Sequence, residues 1–107
     1  MEYNDKTVLI VGLARSGIAA AKFLSKRGAC VVVKEDKPPG QLKYALEKLQ
    51  GLNIEYHLKD DYDIPFDECS LVVVSPGVPL DHPTVATAQA NNIPVISELE
   101  LAYRHCP

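Results

Sequence analysis

Short apolar runs alternate along the chain with longer segments of helical periodicity. The β-branched runs are continuously apolar, which is typical of strands buried on both faces of a sheet. The predicted strands are 6–11, 30–33, 53–56, 71–74 and 94–96. Four of the intervening and following segments are predicted as helices, and the clearest has apolar residues three and four apart at Leu42, Ala45, Leu46 and Leu49, as one face of a helix does. The predicted helices are 15–27, 42–49, 83–91 and 98–105.

This alternation predicts an α/β fold, a Rossmann-like three-layer α/β/α arrangement around a mainly parallel sheet of about five strands. We expect residues 1–107 to form a single domain. Right-handed crossovers place the carboxyl ends of parallel strands at one edge, where ligands of such folds bind. Three loops then meet there, at residues 12–17, 35–37 and 75–77.

Two connections carry further local predictions. Asp81 is positioned to cap the third helix, with Pro83 in its first turn. The stretch 59–68 is polar and contains Pro65, so we expect a loop with at most one helical turn.

Composition narrows the class of protein. The chain has 107 residues, and the 47% of them that are apolar exclude a disordered chain. Its formal charge of −3 favours neither nucleic acid nor an anionic membrane as partner. No apolar run approaches the roughly 20 residues of a membrane span, and the start lacks a secretory signal pattern. Cys30, Cys69 and Cys106 are odd in number and form no C-x-x-C pair, so we expect neither disulfides nor zinc, and a cytoplasmic location.

The first loop has the spacing of a phosphate-binding turn. Gly12 permits a tight turn after the first strand, and Gly17 permits close packing of helix on sheet. The free N–H groups of the following helix suit a diphosphate, although Ala14 replaces the middle glycine of G-x-G-x-x-G and a ligand-free turn is the alternative. Ile18 and Ala19 stand where a P-loop needs lysine and a hydroxyl, so MgATP cannot bind in that way.

The other two loops add candidate ligand contacts. By its spacing from the glycines, Glu35 fits the acidic residue that binds a ribose hydroxyl, with a solvated turn as the alternative. In the third loop Ser75 offers a hydroxyl, Pro76 restricts the backbone, and Gly77 can adopt a positive φ that brings its N–H to a ligand. An ordinary Pro-Gly turn is the alternative there.

No catalytic set is recognisable. The three histidines share no ligand spacing and are interpreted as exposed or capping residues, and no Ser–His–Asp set or carboxylate pair can be argued. The three histidines are His57, His82 and His105.

Four segments together resemble the N-terminal domain of the Mur ligase family, most of all that of its D-glutamate-adding members. They are residues 8–17, the strand end at 35–38, the Ser-Pro-Gly-Val-Pro segment at 75–79, and the tail at 92–101. The last two are the specific part, because a generic dinucleotide fold needs neither. The resemblance covers almost the entire chain.

The resemblance implies a domain that binds the uridine diphosphate end of UDP-N-acetylmuramoyl-L-alanine. Arg15 and Ser16 would offer backbone N–H groups, and Asp36 and Lys37 would lie beside the uracil. The family usually has aspartate where this chain has Glu35. The implied substrate-binding residues are Gly12, Arg15, Ser16, Gly17, Glu35, Asp36, Lys37, Ser75, Pro76 and Gly77.

The resemblance also implies what the remainder of such an enzyme does. Complete family members use ATP and Mg²⁺ to phosphorylate the substrate carboxylate, and the amine of D-glutamate then forms the amide in peptidoglycan precursor synthesis. Their central and C-terminal domains carry that chemistry, so we expect this chain to bind no cofactor and to be inactive alone. The alternatives are an NAD(P)-binding or nucleotide-sensing regulatory domain, and a Mur ligase acting at a neighbouring step.

Overall fold

The computed structural model describes residues 3–105 and contains five strands and four α-helices within them. Two single 3₁₀ turns, at Pro39–Gln41 and Phe66–Glu68, interrupt the loops. In chain order the elements are β1 Thr7–Val11, α1 Arg15–Lys26, β2 Cys30–Glu35, α2 Lys43–Lys48, β3 Ile54–Leu58, β4 Cys69–Val74, α3 Pro83–Ala90, β5 Val95–Ser97 and α4 Glu98–Arg104.

The five strands form one parallel sheet in the order β3-β2-β1-β4-β5. After β1 the chain builds outward through β2 and β3, and it then returns to the other side of β1 with β4 and β5. The crevice between the ends of β1 and β4 is therefore the switch point of the topology, where open α/β sheets bind ligands. The predicted α/β Rossmann-like class is confirmed.

Alternate residues of the central strands enter two separate cores. Val8 and Ile10 of β1 pack with residues of α1, α2 and α4 on one face of the sheet. Leu9 and Val11 face the opposite side, where they pack with α3 and with Ile64. Since both faces are covered, each central strand reads in the sequence as one unbroken apolar run.

The structure corrects two local predictions. β2 continues through Lys34 and Glu35, which the sequence pattern assigned to the turn, and Lys34 is fully buried. The N-cap of α3 is His82 rather than Asp81, because Pro83 occupies the first helical position and the cap is then the residue directly before it.

The prediction of a loop at residues 59–68 is confirmed. The stretch 59–68 contains one 3₁₀ turn, and Cys30 and Cys69 are free thiols. Cys106 lies outside the described residues. Among residues 3–105 no helix has the length and apolar character that crossing a membrane requires.

Candidate functional site

A cleft of about 660 Å³ opens at the carboxyl ends of β1, β2 and β4. The three loops predicted to meet at this edge all line it, so the predicted convergence is confirmed. Every predicted site residue except Gly17 is on its surface. Seven further residues line the cleft that were not among the predicted site residues, and they are Val11, Leu13, Ala14, Lys34, Val78, Pro79 and His82.

The beginning of α1 presents unused hydrogen-bond donors on one wall of the cleft. The N-cap residue Ala14 has no side-chain cap, and the first bond along the helix runs from the Ile18 N–H to the Ala14 carbonyl. Within the described part of the chain, the amides of residues 14–17 have no protein acceptor. Residues 14–16 line the cleft, at the positive end of the helix dipole.

Two glycines allow this loop to fold tightly. Gly12 has φ +94°, and a Cβ there would lie 2.9 Å from the side chains of Ser75 and Val78. Gly17 packs against the loop itself, because a Cβ would come within 2.4 Å of the Gly12 carbonyl oxygen. Gly17 therefore allows a close approach of α1 to the loop and to Glu98, whereas the prediction had placed the close contact between helix and sheet.

The backbone at Ala14, the middle position of the motif, has a conformation that does not require glycine. Its φ of −85° and ψ of −173° are extended backbone that any residue adopts. The side chain is exposed.

The Glu35 carboxylate folds back onto the loops instead of projecting freely into the cleft. One oxygen accepts the Leu13 N–H at 2.8 Å, and the other accepts the Lys37 N–H at 3.0 Å. The side chain thus connects the end of β2 to the first loop. Its predicted contact with a ribose hydroxyl stays a prediction, and it would use lone pairs that these two bonds leave free.

The third loop differs from its prediction in two details. The Ser75 hydroxyl points into the protein, where its oxygen lies 2.9 Å from the Gly12 carbonyl oxygen and 2.5 Å from Glu98 Oε1. Gly77 does not have a positive φ, so that expectation was wrong. A Cβ at Gly77 would meet no atom of residues 3–105 within 4 Å.

Asp36 organises the far end of the cleft. Its carboxylate accepts hydrogen bonds of 2.7 Å from Tyr62 and 2.7 Å from His82, and buried Lys34 lies 3.3 Å away. Desolvation raises the pKa of Asp36, but the hydrogen bonds from these three groups outweigh it and hold the pKa below its usual value. Both carboxylate oxygens are therefore occupied by the protein.

His82 was missed as a site residue because its role depends on a non-local partner. Nδ1 accepts the Thr84 N–H of α3, which leaves the hydrogen on Nε2 for Asp36. The sequence signal was His directly before Pro at a helix start. The interpretation of the histidines as exposed or capping residues is confirmed here, since His82 caps α3.

The other two histidines contact side chains away from the cleft. His57 on β3 is buried, which contradicts its interpretation as exposed or capping, and it bonds to Glu55 and Asp61. His105 lies against the Tyr3 hydroxyl at 2.8 Å. Residues 3–105 hold no group of three His, Cys, Asp or Glu side chains that could bind a metal ion.

The sequence matches known proteins over most of its length. A family model described as the Mur ligase MurD-like N-terminal domain matches residues 6–97. A UDP-N-acetylmuramoylalanine--D-glutamate ligase from Geotalea uraniireducens is 46% identical over 97% of this chain and 23% of that protein. The enzyme of the same name from Caldicellulosiruptor bescii is 43% identical over 99% of this chain and 23% of that protein. The chain therefore spans about a quarter of the length of these curated relatives.

Solved structures with the same fold are much more distant in sequence. The dehydroquinate dehydratase and shikimate dehydrogenase from S. pombe aligns with a TM-score of 0.64 at 17% identity, over 97% of this chain and 26% of that one. A short-chain dehydrogenase/reductase from Serratia marcescens aligns with a TM-score of 0.60 at 14% identity, over 91% of this chain and 56% of that one. These similarities show the Rossmann-like fold alone.

Proposed function

Because the chain belongs to the MurD-like N-terminal domain family of the Mur ligases, we propose that its cleft binds the uridine diphosphate end of UDP-N-acetylmuramoyl-L-alanine. In this proposal it is the substrate-holding first domain of an ATP-dependent ligase that adds D-glutamate during peptidoglycan precursor synthesis.

The observation that carries the proposal is the row of free amides at the start of α1. Residues 14–16 line the cleft, and their N–H groups have no protein acceptor among residues 3–105. A diphosphate supplies anionic acceptors at the end of the helix where its dipole favours negative charge. Arg15 adds an exposed cation beside these amides.

The opposite wall supports an extended ligand. Pro76 and Gly77 line the cleft across from α1 and expose little that would obstruct a phosphate. In the proposal the diphosphate lies between these two walls, with the amides of Arg15 and Ser16 on one side.

The nucleoside would then extend toward the end of β2. That part of the cleft is lined by Asp36, Lys37, Pro79 and His82. Since the Asp36 carboxylate is occupied by Tyr62 and His82, we propose that it holds the wall in shape and that Lys37 supplies a flexible donor to the nucleotide.

We further propose that ATP, Mg²⁺ and D-glutamate bind to other parts of the full-length ligase and that this chain alone ligates nothing. Ile18 and Ala19 stand at the two positions where a P-loop needs a lysine and a hydroxyl. The residues of the cleft thus fit a nucleoside diphosphate and do not fit MgATP held by such a loop.

Two substitutions of Arg15 separate the amide from the side chain. Arg15 is the first residue of α1 and follows an extended residue, so proline fits there without breaking a helical bond. Arg15→Pro removes the N–H and the guanidinium, whereas Arg15→Ala removes only the guanidinium. We expect both variants to fold, and Arg15→Pro to bind UDP about tenfold more weakly than Arg15→Ala, as for one hydrogen bond to a charged group.

The measurement is calorimetric titration with UDP, with circular dichroism to verify the helix. Equal UDP affinities of the two folded variants would show that the amide of residue 15 does not contact a phosphate. Replacement of Lys43, an exposed lysine of α2 outside the cleft, by alanine is the matched control and should leave UDP binding unchanged.

Amide chemical shifts distinguish the proposal from a dinucleotide-binding role. UDP and UDP-N-acetylmuramoyl-L-alanine should shift the resonances of residues 14–17 and of Ser75 and Gly77, and NAD should shift them little. A stronger response to NAD than to UDP would overturn the proposed substrate class.

A further inference from the structure

Glu98 places a carboxylate beneath the cleft, inside the protein. It is the first residue of α4 and only 6% exposed. Glu100, two residues later, points outward and pairs with Arg104 at 2.7 Å. The two glutamates of the Glu-Leu-Glu segment therefore have different surroundings, and only Glu98 reaches the loops of the cleft.

The Glu98 carboxylate contacts both walls of the cleft from behind. Its Oε1 lies 2.5 Å from the hydroxyl of Ser75, a residue that is 4% exposed at the end of β4. The same oxygen would be 3.2 Å from a Cβ on Gly17, so it packs against the first turn of α1. Through the Ser75 hydroxyl it is also linked to the Gly12 carbonyl.

Burial of this carboxylate costs stability. Oε2 is buried and has no hydrogen-bond partner among residues 3–105, and an unpaired buried polar atom loses its hydration without compensation. An apolar side chain of similar size would avoid that cost. Packing alone therefore does not account for a glutamate at this position.

We propose that Glu98 is a positioning residue for the diphosphate site. It holds Ser75 against the first loop and thereby sets the separation between the start of α1 and the loop that follows β4. The inference rests on the proposed function, since it concerns the geometry in which those two walls receive the phosphates. The hydroxyl has one hydrogen, which it donates either to Glu98 or to the Gly12 carbonyl, so without Glu98 it donates to Gly12 alone and loses its connection to α4.

The test compares two replacements of Glu98 that differ in their ability to accept a hydrogen bond. Glu98→Met fills the space but removes the acceptor, and Glu98→Gln keeps an oxygen at the same reach. We expect Glu98→Met to bind UDP about tenfold more weakly, with an unchanged or higher melting temperature, and Glu98→Gln to stay within about threefold of the original affinity. Glu100→Met, on the exposed side of α4, is the matched control and should leave UDP binding unchanged.

A double-mutant cycle tests whether Glu98 acts through Ser75. Ser75→Ala should weaken UDP binding as Glu98→Met does, and the double variant should bind no more weakly than either single one. Effects that multiply, or wild-type affinity in Glu98→Met, would overturn the proposal. Should Glu98→Met not fold, Ser75→Ala must still weaken UDP binding and cancel any effect of Glu98→Gln.

Amide shifts of the ligand-free protein separate this inference from the proposed function. If the unsubstituted chain does not bind UDP, the proposed function fails. The positioning role still predicts that Glu98→Met moves the amide resonances of residues 12–17 and that Glu98→Gln does not. Unchanged resonances in both variants would refute the positioning role on their own.

Discussion

Replacing Gly17 with alanine tests how closely helix α1 must approach the loop that precedes it. The added Cβ would lie 2.4 Å from the Gly12 carbonyl oxygen and 3.2 Å from Glu98 Oε1. The first distance is roughly 1 Å short of an ordinary contact. The obstacle is a backbone atom in a tight turn, so the start of α1 and the loop must move apart.

Two opposing contributions decide the magnitude. Overpacking of this kind costs about 1–3 kcal/mol. Alanine in a helix gains up to about 1 kcal/mol over glycine, and Gly17 is in the first turn, where less of that gain is realised. We therefore expect a net loss of about 1–2 kcal/mol in the free energy of unfolding, which lowers the melting temperature by roughly 5–15 °C.

Ligand binding should decline together with stability. A shift of the helix start relative to Gly12 misaligns the amides that we assign to the diphosphate, so the UDP affinity of Gly17→Ala should fall at temperatures where the variant is still folded. Thermal unfolding and calorimetric titration with UDP measure the two effects.

Gly40→Ala is the matched control. Gly40 is exposed, its φ is not in the left-handed region, and a Cβ there meets nothing within 4 Å. This substitution should leave UDP binding unchanged and raise stability by up to about 1 kcal/mol, because it restricts only the unfolded chain. A melting temperature of Gly17→Ala at or above that of the unsubstituted chain would refute the steric argument.

Three further predictions concern the cleft wall, an edge strand and the thiols. Gly77→Val should keep its melting temperature, because no protein atom is near, but should weaken UDP binding in titration, since only ligand can meet the new side chain. Burial lowers the pKa of His57, but hydrogen bonds led by Asp61 outweigh it and raise the pKa above its ordinary 6.5. The stability that His57→Gln removes should therefore be largest below pH 6.5 and decrease as the pH rises through the folded pKa. Melting curves from pH 5.5 to 9 would test this, and a loss independent of pH would contradict it. Burial raises the pKa of Cys69 to about 11, so iodoacetamide at about pH 8 should alkylate the exposed Cys30 much faster than Cys69. Peptide mapping measures the two rates, and equal rates would contradict the raised pKa of Cys69.

The strand–helix order and the meeting of the three loops could be predicted from the sequence because they depend on local patterns. Continuous β-branched runs identify strands buried on both faces, and parallel connections bring the strand ends to one edge. The pattern could not predict how far β2 extends. Lys34 reads as the first residue of a turn, yet it is buried because the Lys59 carbonyl accepts its Nζ at 2.8 Å and the Tyr62 ring lies 4.0 Å away.

The same limit applies to two side chains that the sequence pattern predicted to contact a ligand. Glu35 and Ser75 both follow strands that end at the cleft, so both were predicted to face it. In the structure Glu35 accepts the N–H of Leu13, 22 positions away, and Ser75 contacts Glu98, 23 positions away. Partners that distant cannot be found from spacing along one segment.

Most of the polar side chains at the cleft thus bond to the protein, whereas the backbone N–H groups at the start of α1 have no acceptor among residues 3–105. Such donors depend on where the helix begins and on the glycines that let the loop turn, and hardly on which residues follow. At Ala14 the dinucleotide motif has a glycine that lets the pyrophosphate approach the backbone, and the extended backbone of Ala14 carries its side chain without strain. The restrictive glycines are Gly12 and Gly17, because at both positions a Cβ would collide with protein atoms. For this chain, Gly12 and Gly17 therefore fix the tight turn from which α1 starts with its first N–H groups unpaired among residues 3–105.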